Sequence, residues 1–87
     1  MGKLDKILEK LLRGGSDSNI PFREMCSLLT SLGFHETIRG SHHIFRKEGI
    51  AEKINLQRDG NESKGYQVRQ VREILIKYRI DTIKKES

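Results

Sequence analysis

The stretch Arg39-Gly40-Ser41-His42-His43-Ile44-Phe45-Arg46-Lys47 constrains this chain more than any other. Gly40-Ser41 reads as a two-residue hairpin turn. Glycine at the first central position suits type II′, which needs φ > 0 there. Arg39 then ends one strand and His42 begins the next, directly opposite. The register follows: Ile38 pairs with His43, Thr37 with Ile44 and Glu36 with Phe45. Side chains alternate along a strand. One face therefore carries His35, Thr37, Arg39, His42, Ile44 and Arg46. The other carries Phe34, Glu36, Ile38, His43, Phe45 and Lys47. Phe34, Ile38 and Phe45 assign the second face to the core. His42 is expected outward beside Arg39, and His43 inward. A slip of one residue would exchange the two histidines.

The rest of the chain supplies what such a hairpin needs to pack against. Leu4, Ile7, Leu8, Leu11 and Leu12 recur at helical spacing, so residues 3–13 are expected as a helix ended by Gly14-Gly15. Its like-charged pairs Asp5–Glu9 and Lys6–Lys10 leave packing as its main support. Its polar face is of mixed sign and it lacks aromatic residues, which argues against a membrane-surface role. Residues 14–20 read as a linker. Pro21 suits a helix first turn, and Asn19 is the nearest N-cap residue. Residues 21–32 make a second helix with Phe22, Met25, Cys26, Leu29 and Leu32 on one stripe, stopped by Gly33. After strands 34–39 and 42–47 comes a third, 52–57, with Ile54 and Leu56 inward and Lys53, Asn55 and Gln57 outward. Residues 58–65 read as a polar loop. The last helix spans 66–79, with Val68, Val71, Leu75 and Tyr78 facing the core, helped by Ile74. Arg69, Arg72, Lys77 and Arg79 are assigned to its exposed side. Lys64 and the free N–H groups at the helix start could hold a phosphate. The tail, 80–87, is expected to fray.

The fold class is α+β: one domain over 1–87, an extra N-terminal helix, then an α-β-β-β-α core over 21–80 with a three-stranded antiparallel sheet. That order is the order of double-stranded-RNA-binding domains, which read RNA by shape through phosphates and 2′-hydroxyls.

Eighty-seven residues suffice for one small core. Seventeen Lys and Arg against twelve Asp and Glu give a net charge of +5, which favours a polyanionic partner. The one cysteine, Cys26, has no internal disulfide partner and reads as a small core residue. A reducing cytoplasm fits. No apolar run reaches the ~18 residues of a membrane span, and no apolar leader is visible.

The outward face suits RNA cleavage. RNA supplies its own nucleophile, the 2′-hydroxyl. Cleavage then needs a base, an acid and positive charge on the phosphate. Histidine exchanges protons near neutrality, and arginine stabilises developing charge. No metal and no cofactor is required. His42 and His43, adjacent on a strand, cannot jointly hold one ion. Cys-x-x-Cys and His-Glu-x-x-His spacings are absent. Ser41 beside His42 is not evidence for a serine triad.

Gly40-Ser41-His42-His43-Ile44-Phe45-Arg46, following Leu32-Gly33-Phe34, resembles the HicA toxin family of bacterial type II toxin–antitoxin systems. Tyr66-Gln67-Val68-Arg69-Gln70-Val71-Arg72 resembles a longer subgroup of that family. The resemblance covers residues 22–80. It implies a double-stranded-RNA-binding-like fold and a metal-independent ribonuclease that cleaves mRNA and halts translation. It also implies a HicB-like antitoxin over the site. By that resemblance His42 is the catalytic residue, with His43 the alternative. Arg39, Ser41, Arg46, Lys47, Lys64 and Arg69 are the expected RNA contacts. The toxin is expected as a monomer or homodimer and, with its antitoxin, as a hetero-oligomer. The helix 3–13 sets the chain apart from compact members and could serve dimerisation or antitoxin contact. So do Asp59, Glu62 and Lys64, where compact members often carry a more basic, proline-containing stretch. Two other readings have their own signatures: a non-catalytic RNA-binding module, which binds RNA without cutting it, and a protein-interaction domain with a basic face, which does not bind RNA even at low salt.

Overall fold

A computed structural model describes residues 2–14, 20–60, 62–63 and 65–80, and the statements below concern these residues. The chain runs α1 (Lys3–Arg13), α2 (Phe22–Ser31), β1 (His35–Arg39), β2 (His42–Arg46), β3 (Ile54–Asp59), β4 (Glu62–Ser63) and α3 (Gly65–Lys77). The strands form one antiparallel sheet in the order β1-β2-β3-β4, of which the first three carry the structure and β4 is a two-residue addition. The fold is α+β, with one face of the sheet under three helices.

The hairpin register is the one the turn dictates: Arg39 opposite His42, Ile38 opposite His43, Thr37 opposite Ile44 and Glu36 opposite Phe45. Gly40 has φ +59, and Ser41 is not among the residues with positive φ. Type I′, which needs positive φ at both central positions, is thereby excluded, as type II′ requires. β3 then pairs Gln57 with His42, Leu56 with His43, Asn55 with Ile44 and Ile54 with Phe45. The inward set Phe45, Ile54 and Leu56 is fully buried. Over it lie Ile7, Leu8 and Leu11 of α1, Phe22, Met25, Leu28 and Leu29 of α2, and Val68, Val71, Ile74 and Leu75 of α3, all in one apolar cluster.

Helix α1 is thus part of the core. Its apolar stripe packs on α2 and α3. At its start the Asp5 carboxylate accepts from the Gly2 N–H at 3.0 Å, an acceptor at the positive end of the helix. At its end Gly14 has φ +77 and donates to the Lys10 carbonyl. The Arg72 guanidinium of α3 lies close by, a cation at the negative end of α1. Helix α2 ends in a Schellman motif. The Phe34 N–H reaches the Leu29 carbonyl at 3.0 Å, and the Gly33 N–H reaches Thr30 at 3.1 Å. Leu29 and Phe34, the apolar pair such a motif favours, are both buried. Gly33 is required by its φ of +97; the Lys47 ammonium, 2.5 Å from where a Cβ would stand, is the far end of a flexible side chain and can swing aside.

Five expectations change. Ile38, assigned to the core, is 59 % exposed. It sits on the edge strand, one residue before Arg39 and the turn. Ile20, assigned to a linker, is buried. Pro21 takes the N-cap place and its carbonyl accepts from Met25 at 3.0 Å. Strand β3 runs two residues later than 52–57. The loop 58–65 contains the end of β3, a Gly60 turn (φ +64) and β4, which pairs Arg58 with Ser63 and Asp59 with Glu62. Gln67, which helical spacing assigned to neither face, is buried, and its Oε1 accepts from the Gln57 N–H at 3.1 Å. It satisfies a donor on the β3 edge where no strand supplies a carbonyl. Asn19, Lys64 and residues 81–87 lie outside the described residues.

The C-terminal end of α3 is fastened by Glu52. Its carboxylate accepts from Lys77 Nζ at 2.7 Å and from the Tyr78 hydroxyl at 2.5 Å. These two bonds, Lys77 first, hold its carboxyl down to about 2. A depressed carboxyl stabilises the fold above its unfolded pKa and loses that contribution as pH falls through the folded one. Glu52→Gln is expected to lower the melting temperature at neutral pH. It should also flatten the loss of stability between about pH 4.5 and 2, read by thermal melts across that range. For α1, Leu11→Ala is expected to cost about 2–5 kcal/mol in denaturant unfolding, because Leu11 is almost fully buried.

Candidate nucleic-acid interface and acid–base site

The outward face of the sheet is a grid fixed by the register. Its first row is Arg39, His42 and Gln57, its second Thr37, Ile44 and Asn55. His35 and Arg46 are paired in the third, with Lys53 extending it past the Phe45–Ile54 pair. Rows two residues apart stand about 7 Å from one another. Thr37, Arg39, Ile44, Arg46 and Lys53 line an open groove of about 280 Å³. Half-buried Ile44 forms its floor, and three cations stand on its walls.

His42 stands at the Arg39 end of this groove and is exposed. Its Nδ1 lies 3.2 Å from Asn55 Oδ1, diagonally across β2 and β3. An amide oxygen can only accept, so this contact places the proton on Nδ1 and turns the Nε2 lone pair to solvent. Asn55 is a positioning group that motif reading does not reveal. Strand alternation already puts it on this face, as it does Lys53, but not within reach of a particular imidazole. Ser41 Oγ accepts from Gln57 Nε2 at 3.5 Å, a long contact that ties the turn to β3.

The other expected contacts divide. Arg46 is four residues from His42 along β2, about 13 Å. It shares the groove with Arg39 but reaches a different part of any bound chain. Lys47 points the opposite way, with its ammonium against Gly33 at the end of α2. Arg69 is exposed in the helix layer, not on the sheet face. Lys64 lies outside the described residues. His35 is four residues from Arg39, about 14 Å, too far from His42 to share a proton transfer with it.

His43 faces inward and is half-buried. Its Nδ1 meets Glu36 Oε2 at 2.7 Å, and its ring stands edge-on to Phe22 at 4.9 Å between centroids and 80° between planes. Cys26 of α2 belongs to the same cluster. Burial first, then the Glu36 charge, pushes its thiol up to about 11 against the pull of Arg58. A thiol so raised is protonated at neutral pH and is a poor nucleophile.

Among the described residues no helix is long and apolar enough to cross a membrane. Compared with protein-family models, curated proteins and solved structures, the chain has no match.

The Asn55 contact makes a tautomer prediction. Wild-type His42 is expected to populate the Nδ1–H form in long-range ¹⁵N correlation spectra near pH 8. Asn55→Ala should shift it toward the Nε2–H form while costing no more than about 1 kcal/mol of stability.

Proposed function

We propose that this protein is a metal-independent endoribonuclease of HicA type, with a double-stranded-RNA-binding-like fold, acting on mRNA as the toxin of a toxin–antitoxin pair in the cytoplasm. The observation that carries this reading is the exposed His42 imidazole, opposite Arg39 across the hairpin and held through Nδ1 by Asn55. The resemblance over residues 40–46 points to the same residue.

RNA lies along the groove with its backbone against Arg39, Arg46 and Lys53, three cations arrayed over rows about 7 Å apart. Ile44 offers an apolar floor for a ribose or base. His42 Nε2 takes the proton of a 2′-hydroxyl. That oxygen attacks the adjacent phosphorus, the bond to the 5′ oxygen breaks, and solvent supplies the leaving oxygen with a proton. The products are a 2′,3′-cyclic phosphate and a 5′-hydroxyl. Arg39, next to the base, neutralises the charge that builds on the non-bridging oxygens. Asn55 keeps the imidazole in the tautomer that can accept. A HicB-like antitoxin blocks the protein by covering this basic face.

The test is RNA cleavage in the presence of a chelator, with the ends mapped chemically. Wild-type protein is expected to leave cyclic phosphates. His42→Ala is expected to cut at least ~100-fold more slowly, the scale of a lost general base, and to abolish growth arrest on expression. Arg46→Ala and Lys53→Ala should weaken RNA binding and flatten its salt dependence. Undiminished cleavage by His42→Ala overturns the assignment. Salt-sensitive binding with no cut ends would make the protein a non-catalytic RNA-binding module.

A further inference from the structure

On the other face of the hairpin, Cys26, Glu36 and His43 form a cluster that the ribonuclease reading does not use. Their thiol, carboxylate and imidazole donor atoms all lie within 4.8 Å of one another. Each side chain comes from a different element, α2, β1 and β2. All three are half-buried. The imidazole and carboxylate keep 24 % and 29 % of their surface in solvent, so an ion has a way in.

We infer that Cys26, Glu36 and His43 form a three-ligand site for a divalent transition-metal ion of zinc type, with water as the fourth ligand. Thiolate, imidazole and carboxylate are the donors zinc takes, and three protein ligands plus water make a tetrahedral open site. Bonds of about 2.0 Å to nitrogen and oxygen and about 2.3 Å to sulfur set tetrahedral donors roughly 3.3–3.6 Å apart. The imidazole–carboxylate contact of 2.7 Å would widen by about half an ångström. The thiol would close in by little more than about an ångström from at most 4.8 Å. Rotation about side-chain bonds covers both changes.

Loading displaces the Cys26 thiol proton to water, and His43 ligates through Nδ1 with its proton carried on Nε2. One thiolate and one carboxylate then neutralise the dication, so the loaded site is uncharged in its half-buried setting. Arg58, stacked over the Phe22 ring at 5.3 Å, opposes the ion, but two anionic ligands outweigh it. Phe22 holds the His43 ring edge-on from the side, limiting the rotamers from which it must be recruited. The ion would rivet α2 to the β1–β2 hairpin from beneath, one residue along the chain from His42 and on the opposite face. It would act on stability and rigidity and take no part in RNA chemistry.

The test uses tag-free, full-length protein stripped with chelator and then titrated with Co²⁺ or Zn²⁺. Co²⁺ is expected to give a thiolate charge-transfer band and tetrahedral d–d bands, which one equivalent of Zn²⁺ removes. Zn²⁺ in excess should raise the melting temperature by about 5 °C or more. Cys26→Ser should lose the charge-transfer band, and Glu36→Gln should weaken Co²⁺ binding at least tenfold. His35→Ala should match wild type. No charge-transfer band in wild type at several-fold excess of Co²⁺ overturns the site. So does a Zn²⁺ stabilisation that is equal in wild type, Cys26→Ser and Glu36→Gln. Each readout is independent of RNA cleavage, so the site stands or falls apart from the ribonuclease proposal.

Discussion

What the sheet exposes is positioned by what it buries. Phe45, Ile54 and Leu56 enter the apolar cluster from β2 and β3 with no remaining exposure. With a side-chain period of two, that burial turns His42, Ile44, Asn55 and Arg46 outward without further instruction. A shift by one residue would carry two imidazoles, a phenylalanine and an isoleucine to the wrong sides at once. The cost of burying polar groups and exposing apolar ones is the lock on the register. The Gly40 turn sets the same register locally, so hairpin geometry and core burial agree.

The helix layer is held by ends as much as by stripes. Gly14 and Gly33 stop α1 and α2 in the left-handed region that only glycine enters at little cost. Arg79, beyond α3, takes φ +56 without that advantage. There the Ile80 N–H to Leu75 carbonyl bond at 2.8 Å closes the helix, and partly buried Ile80 packs against the cluster. Glu52 reaches from the β2–β3 connection to Lys77 and Tyr78, fastening the far end of α3 to the sheet.

Two neighbouring histidines end in different chemistry. His42 meets an amide in water, and His43 meets a carboxylate and an aromatic edge at half burial. The first keeps its second ring nitrogen toward solvent. The second is tied into a cluster whose thiol burial keeps protonated. The alternation of a strand produces this division from two identical side chains in sequence.

By itself the sequence determined the three helices to within two residues at each end, the hairpin register and the outward placement of Arg39, His42, Arg46, Lys53 and Asn55. Those follow from glycine positions and from hydrophobic periods of 3.6 and 2, which are local. It could not determine how far the helix layer extends over the sheet. Ile38 has the right parity for burial and stays exposed on the edge strand beside the turn, while Ile20 has no period to mark it and is buried. Nor could it bring together residues 26, 36 and 43, or set Gln67 under the β3 edge and Asn55 against His42. Those contacts join separate elements, and only the packing of α2, α3 and the strands against one another decides which polar groups come within bonding distance.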